Sequence, residues 1–298
     1  MFKGIKKRDF YRDFSDRESC LEYLAGIKWA DGYVCRKCGH THYMKGKQPF
    51  SRRCRSCRYD ESATAHTLFH KLKFCLLKAF EIMFLLTTQK KGASSLSLHE
   101  ELGLRYATCL GFRRKVQKAM ESSGKHPLKP LGGRVEVDET AIGGYDPGSP
   151  GRAKGDKKLA AIALEITGKG QFGRAYAQRI DNYSGEQLKE IFDKHISPQA
   201  VVRTDQWKGY LPMQEAYKKL VQEPSDKGGN FKELHLHIMN LKNWIRGKHH
   251  HLSESYIQRY FDEFHYRFNR RAFRKTIFHK LVQRMVESPI TLHAQLKV

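Results

Sequence analysis

The sequence predicts a multidomain chain: a small metal-binding module of short strands, a helical module, then an α/β domain with a mixed sheet, flanking helices and a helical C-terminal third. Three observations predict it. Four cysteines fall in two C-x-x-C pairs inside residues 18–60. Apolar residues recur at helical steps through 63–122. From Arg134 onward the pattern changes to alternating and continuous apolar runs of strand length, with helical spacing returning near the C-terminus. A chain of 298 residues is long enough to bury more than one core.

Charge narrows the partner. Lys and Arg number 55 against 31 Asp and Glu, a formal net charge of +24. The excess is spread over 52–58, 113–118, 152–158 and 267–275 instead of being confined to one tail, which points to a polyanion touched by several modules. The longest apolar run, 72–86, is interrupted by Lys78 and Glu81 and is too short to cross a bilayer. No secretory signal is visible in residues 1–14. A soluble, cytoplasmic protein with no membrane partner is expected, and seven cysteines in such a compartment favour metal binding over disulfides.

Taking the modules in order, Cys35-x-x-Cys38 and Cys54-x-x-Cys57 are separated by fifteen residues, the spacing of a four-cysteine zinc site. Two such turns close a tetrahedron of thiolates, so the predicted zinc ribbon, residues 18–60, is structural. His40 and His42 could replace a ligand, and Cys20, Cys75 and Cys109 are expected to be buried thiols. Arg52, Arg53, Arg55 and Arg58 surround the second knuckle and are candidate phosphate contacts.

The helical module, 63–122, opens with an apolar helix over 71–89. A second helix spans 94–104, with Ser97-Leu98-His99-Glu100 as a capping-box start, and Gly103 supplies a turn. A third helix, 106–120, carries Arg113, Arg114, Lys115 and Lys118, the outline of a helix-turn-helix with a basic face for DNA. Residues 122–133, with two prolines and paired glycines, read as a linker.

In the α/β domain, 134–275, strands are expected over 134–138, 159–166 and 173–180. A helix capped by Ser184 and Gln187 runs to His195, and a strand at Val201-Val202 follows, an order that suits a mixed sheet. Ile257, Tyr260, Phe261, Phe264 and Phe268 recur at three- and four-residue steps and read as core, with 276–298 a C-terminal tail. Asp138 and Asp205 each end a strand. Two such carboxylates in a basic protein can hold the paired divalent ions of phosphodiester chemistry, although Asp also commonly begins turns.

The chain resembles the zinc-ribbon insertion-sequence transposases of the RNase H-like DDE superfamily. The resemblance is carried by the cysteine pairs, Phe69-His70-Lys71-Leu72-Lys73, Val135-Glu136-Val137-Asp138-Glu139-Thr140 with Ile142-Gly143-Gly144, Thr204-Asp205-Gln206-Trp207-Lys208-Gly209-Tyr210, and Tyr260-Phe261-Asp262-Glu263-Phe264 leading to Arg267-Phe268-Asn269-Arg270-Arg271. It implies an RNase H-like catalytic domain and metal-dependent DNA strand cleavage and transfer, with Mg2+ or Mn2+ at Asp138 and Asp205. It also implies a third ligand on a later helix seven residues before a lysine. Anchored on Lys242, that position is His235, which departs from the usual acid; Glu233, His237 and Asn240 are neighbouring alternatives. Imidazole suits Mn2+ better than Mg2+, and Lys242 would steady phosphate.

The implied partners are double-stranded DNA with terminal inverted repeats and target DNA, handled by a homo-oligomer at the bacterial nucleoid. Two other readings stay open at this point: a domesticated zinc-ribbon and helix-turn-helix DNA-binding protein with a decayed centre, and a nuclease without strand transfer. His249-His250-His251 reads as a loop contacting DNA, and Glu254 and Glu263 stay unassigned.

Overall fold

The structure, a computed structural model, describes residues 1–143, 157–226, 229–248 and 252–291. The elements in chain order are α1 (Lys7–Asp13), α2 (Arg17–Lys28), β1 (Tyr43–Lys45), β2 (Arg52–Cys54), β3 (Asp60–Glu61), α3 (Leu76–Thr88), α4 (Ser95–Leu102) and α5 (Tyr106–Met120). They continue with β4 (Arg134–Ile142), β5 (Lys158–Ile166), β6 (Phe172–Ile180), α6 (Gly185–His195), β7 (Val202–Asp205), β8 (Leu220–Glu223), α7 (Lys232–Arg246), α8 (Ile257–Phe268) and α9 (Ile277–Glu287). Among the described residues no helix is long and apolar enough to cross a membrane.

The chain divides into two compact units, one of Met1–Met120 with Ala272–Val298 and one of Glu121–Arg271. The first is organised by aromatic packing. Phe2, Phe10, Phe14, Phe80, Phe84 and Phe278 meet with ring centroids between 4.8 and 6.4 Å apart, in the edge-to-face and tilted geometries that aromatic quadrupoles favour. Phe278 belongs to α9, which packs on α2, α3 and α5. The segment expected as a C-terminal tail is therefore part of this core: Phe278, Leu281, Val282 and Met285 are fully buried, and their apolar area has to be covered somewhere.

Local chemistry sets the helix starts. Asp16 caps α2 by accepting from Ser19 N at 2.8 Å, and Ser19 Oγ accepts from Asp16 N in return. Ser94 caps α4 by accepting from Ser97 N at 3.0 Å, so the helix occupies the expected 94–104 region with Ser94, and not Ser97, as its cap. Gly103 ends α4 in the left-handed region at φ +64, and α5 occupies the predicted 106–120. The predicted 71–89 helix is shorter. Residues before Cys75 fold as turns, with Lys71 at φ +50 and Leu72 N bonded to Phe69 O.

The second unit is a five-stranded sheet in the order β6-β5-β4-β7-β8. β6, β5 and β4 are antiparallel, while β4, β7 and β8 run parallel. β8 has no counterpart in the sequence reading, because four half-polar residues carry no alternation long enough to see. One face of the sheet packs on α6, with Val135, Val137 and Val202 meeting Leu188, Ile191 and Phe192. The other packs on α7 and α8, with Ala160, Ile162 and Leu164 meeting Leu234, Leu241 and Phe261. Of the predicted core residues of α8, Ile257 and Phe261 are fully buried in this second layer and Phe264 and Phe268 partly buried against it, while Tyr260 is only half-buried and is not part of it.

The expected linker is part of this unit. Leu128 is fully buried and bridges to Ile196, and Arg174 donates to the carbonyls of His126 and Pro127 at 3.1 and 3.2 Å.

Candidate active site and metal centre

The parallel pairing of β4 with β7 sets the frame. Val135 lies beside Val202 and Glu136 beside Arg203. Carried two residues beyond that ladder, the same offset would set Asp138 level with Asp205, on the sheet face covered by α7. Only Asp205 ends its strand and begins a turn, its Oδ1 accepting from Trp207 N at 3.0 Å. The strand expected over 134–138 runs on to Ile142, so Asp138 sits mid-strand opposite Ile162, its Oδ1 accepting from Glu139 N at 2.8 Å.

The turn after Asp205 is held by Trp207, whose Nε1 donates to Tyr183 O at 2.8 Å. Gly209 is required there, since a Cβ would come within 2.5 Å of Trp207 Nε1 and 2.8 Å of Tyr183 O. Behind the two aspartates lies Tyr210, wholly buried. Burial raises its hydroxyl far above the ordinary tyrosine range, and the charges of Glu139, Asp138 and Asp205 add to the effect.

Helix α7 closes the site. His235 Nε2 stands 3.2 Å from Asp138 Oδ2. The imidazole is raised above its usual pKa first by that hydrogen bond, with burial opposing and the charges of Asp138 and Glu136 assisting. A cavity of about 510 Å³ is lined by Asp138, Glu139 and Thr140 of β4 and by His235, Lys242 and Arg246 of α7. Its α7 residues follow three- and four-residue steps, with Ile238 and Met239 between the polar groups, so one helical face meets β4. Burial lowers the pKa of Lys242; Asp138 opposes this, while Arg246 and Lys157 reinforce it. Asp205 is not among the lining residues.

The neighbours of His235 diverge. His237 is buried, its Nε2 3.1 Å from Nε2 of His265, whose Nδ1 meets Phe261 O at 2.7 Å. Asn240 is exposed and lies outside the cavity. Glu233 acts on Glu136 and Arg203, raising the pKa of each. Those two belong to a separate network in which Glu136 pairs with Arg134 at 2.7 Å and Arg203 holds Glu223 in a two-pronged contact. Arg246 escaped the sequence reading, although continuing the 235–242 spacing by one more turn reaches it. Gly144, 152–156 and the histidines at 249–251 lie outside the described residues.

In the N-terminal unit the four Sγ atoms of Cys35, Cys38, Cys54 and Cys57 all lie within 4.8 Å of one another. Tetrahedral zinc–thiolate bonds of about 2.3 Å imply sulfur separations of about 3.8 Å, so the donor set fits zinc. The knuckle turns are set by backbone bonds, Gly39 N to Cys35 O at 2.8 Å and Cys54 N to Tyr59 O at 2.9 Å. Burial opposes ionisation of Cys35, yet the backbone N–H groups of Lys37 and Cys38 and the thiol of Cys57 bring it down to about 6. Cys57 is pushed up to about 12 despite its backbone donor, by burial and by the other three sulfurs. Four thiolates at this separation need a cation. Among the described residues no other group of three or more His, Cys, Asp or Glu donors converges so closely.

The predicted basic contacts divide by environment. Arg55, Arg58 and Lys118 are exposed, and Arg114 is half-buried. Arg52 is stacked on Trp29 and Tyr43, and Arg53 pairs with Asp60 at 3.3 Å. Lys115 is half-buried and donates to Leu68 O at 3.4 Å. Arg113 departs from the expected basic face: it is 4% exposed, on the side of α5 that also buries Phe112 and Val116.

Known families agree with this division. The ISXO2-like transposase domain model matches residues 130–269, and the transposase zinc-ribbon domain model matches residues 15–60. No curated protein matches the chain. The first match spans both Asp138 and Asp205 and the helix facing them, and the second spans the complete cysteine cluster. With both models in chain order and together covering more than half of it, the chain belongs to the zinc-ribbon insertion-sequence transposases.

Proposed function

We propose that the chain is an active DNA transposase that cuts and joins strands at a centre built on Asp138, Asp205 and His235, with Lys242 and Arg246 gripping the phosphodiester. The observation that carries this reading is the parallel pairing of β4 with β7, whose register extended by two residues would bring Asp138 and Asp205 to one level, with His235 against Asp138 at 3.2 Å. The three side chains would hold Mg2+ or Mn2+. Adjacent octahedral ligands about 2.1 Å from an ion lie about 3 Å apart, close to the Asp138–His235 separation. Bound there, the cations would supply Lewis-acid activation of the attacking oxygen and offset the charge developing on phosphorus.

The residues of the chain do the rest. Asp138 favours a proton on His235 through their contact, and to serve as a ligand His235 would have to release that proton to solvent. Lys242 and Arg246, one turn apart, present charged donors to phosphate oxygens. Tyr210 and Trp207 hold the turn that carries Asp205. The zinc ribbon and the helix-turn-helix formed by α4 and α5 are the grip on the element's ends, with Arg55, Arg58, Arg114 and Lys118 meeting the backbone and α5 entering the major groove. Terminal inverted repeats are its cutting sites and a second duplex its target. Two ends must be handled together, so it works as a homo-oligomer on DNA, in the cytoplasm at the bacterial nucleoid.

The test is a duplex bearing the element's own ends, incubated with Mg2+ or Mn2+. Wild type is expected to give nicks and joined products, with Mn2+ preferred over Mg2+. Asp138→Ala should cut at least about 10³-fold more slowly, and His235→Glu should move the preference toward Mg2+. Equal cutting by Asp138→Ala would overturn the assignment, and nicks without joined products would reduce the protein to a nuclease.

A further inference from the structure

The N-terminal unit has a second concave surface that none of the sites above uses. It encloses about 570 Å³ where the zinc ribbon, the start of α2 and the segment leading into α3 meet. Arg17, His70, Lys71 and Lys73 line it together with the hydroxyls of Ser62 and Thr64, and no Asp or Glu is among its lining residues.

An ordinary surface cluster of lysines sits on freely moving chain, whereas this segment is pinned from beneath. Leu68 and Phe69 are fully buried. Leu68 N donates to Met285 O at 3.0 Å, and Thr67 Oγ1 donates to Thr64 O at 2.8 Å while accepting from Phe69 N at 3.0 Å. The nearly buried Lys28 donates to Ser62 O and Ala65 O at 2.9 and 2.7 Å and pairs with Glu61 at 2.6 Å. That pair consumes the nearby acid from below and leaves the rim cationic.

The backbone at Lys71 adds a second clue. Its φ of +50 lies in the left-handed region, a conformation costing a non-glycine residue about 1–3 kcal/mol that persists where the surroundings impose it. Beside it, His70 is lowered from its usual pKa by burial and then by the charges of Lys71, His66, Lys115 and Lys28. The groove is thus a fixed concave field of one sign, the arrangement that attracts and orients an anion.

We infer that this groove is a phosphate-backbone site for DNA, in which Arg17, Lys71 and Lys73 pair with phosphate oxygens and Ser62 and Thr64 donate hydrogen bonds. It rests on DNA being the partner and is independent of the carboxylate centre. Because it contacts only backbone, it fixes register without reading bases.

The experiment measures binding of the zinc-loaded full chain to a labelled duplex by fluorescence anisotropy across a salt series, without Mg2+ or Mn2+, so that no cutting occurs. Lys71→Glu/Lys73→Glu is compared with Lys3→Glu/Lys6→Glu, which makes the same charge change at exposed lysines outside the groove. The groove pair should lose at least about tenfold in affinity, and its salt slope should become shallower by about two, near 0.9 per phosphate contact. The control pair should change both far less. Equal losses in the two pairs, or an unchanged slope in the first, would overturn the proposal. Lys71→Gly guards against misfolding: relieving the left-handed strain should raise the melting temperature while binding weakens, and unweakened binding in this variant counts against the site. Because binding is read without divalent ions, its outcome does not depend on cutting at the carboxylate centre, which separates failure of this site from failure of the catalytic reading.

Discussion

The zinc ribbon and the proposed catalytic centre are built in opposite ways. In the zinc ribbon, four sulfurs from two short turns come within 4.8 Å of one another. Around Asp138 the proposed donors arrive from β4, β7 and α7, with His235 against Asp138 at 3.2 Å. The first site is closed by local geometry and leaves no room for substrate. The second is an open cavity of about 510 Å³ beside two cations, Lys242 and Arg246. A structural ion site benefits from saturation by protein ligands, whereas a catalytic one must keep positions for the reacting oxygens.

The contrast can be broken most decisively at the ribbon. Cys54→Ser, or chelation of the wild type, should remove the bound zinc and unfold residues around 35–60, because structural zinc contributes about 10–16 kcal/mol to small modules of this type. Elemental analysis and limited proteolysis read the result; a ribbon that stays protected without metal would make the cluster a mere packing of thiols. The melting of the second unit should be largely unaffected.

At the open site the expected effects are smaller and appear in rate. Lys242→Ala should slow cutting about 10- to 100-fold, the worth of a charge-assisted hydrogen bond to phosphate of about 1.5–3 kcal/mol, mostly by weakening retention of DNA. Normal rates would make Lys242 a solvated bystander. The last effect concerns stability and grows only as the pH falls.

His195, 3% exposed and stacked on Tyr176 at 4.2 Å, is lowered to about 3 chiefly by burial. Its folded pKa is below the unfolded value, so the unfolded chain takes up the proton first. Stability is full above about pH 6.5 and falls with acidification toward about pH 3. His195→Phe should remove about 1.4 kcal/mol of this dependence per pH unit within that window. Identical acid profiles in thermal melts of the two proteins would refute it.

How much could be read beforehand follows from the range of the interactions involved. Ser184 accepting from Gln187 N, Gly103 at φ +64 and the cysteine turns are contacts within a few residues, and each was visible in the sequence. Ser94 in place of Ser97 as the cap of α4 was decided by where Leu98 had to be buried. Arg113 was counted with a basic face by composition, and the packing of α5 turned it inward. The segment after 276 looked like a tail because nothing local says that Phe278 completes an aromatic cluster begun at Phe2.

The sequence by itself determined the zinc site, the existence of the strand that carries Asp138 and the family to which the chain belongs, because spacing and periodicity express short-range chemistry. That this strand continues past Asp138 to Ile142 came from its pairing with β5. Only the tertiary structure decided that β7 lies parallel to β4, with Val202 beside Val135 and Arg203 beside Glu136. It also decided which histidine of α7 meets a carboxylate: His235 faces β4, while His237, two residues on, points to the buried side of the same helix. Those outcomes depend on how apolar faces are covered across the sheet, and the free energy that selects among them is spread over contacts between residues far apart in the chain.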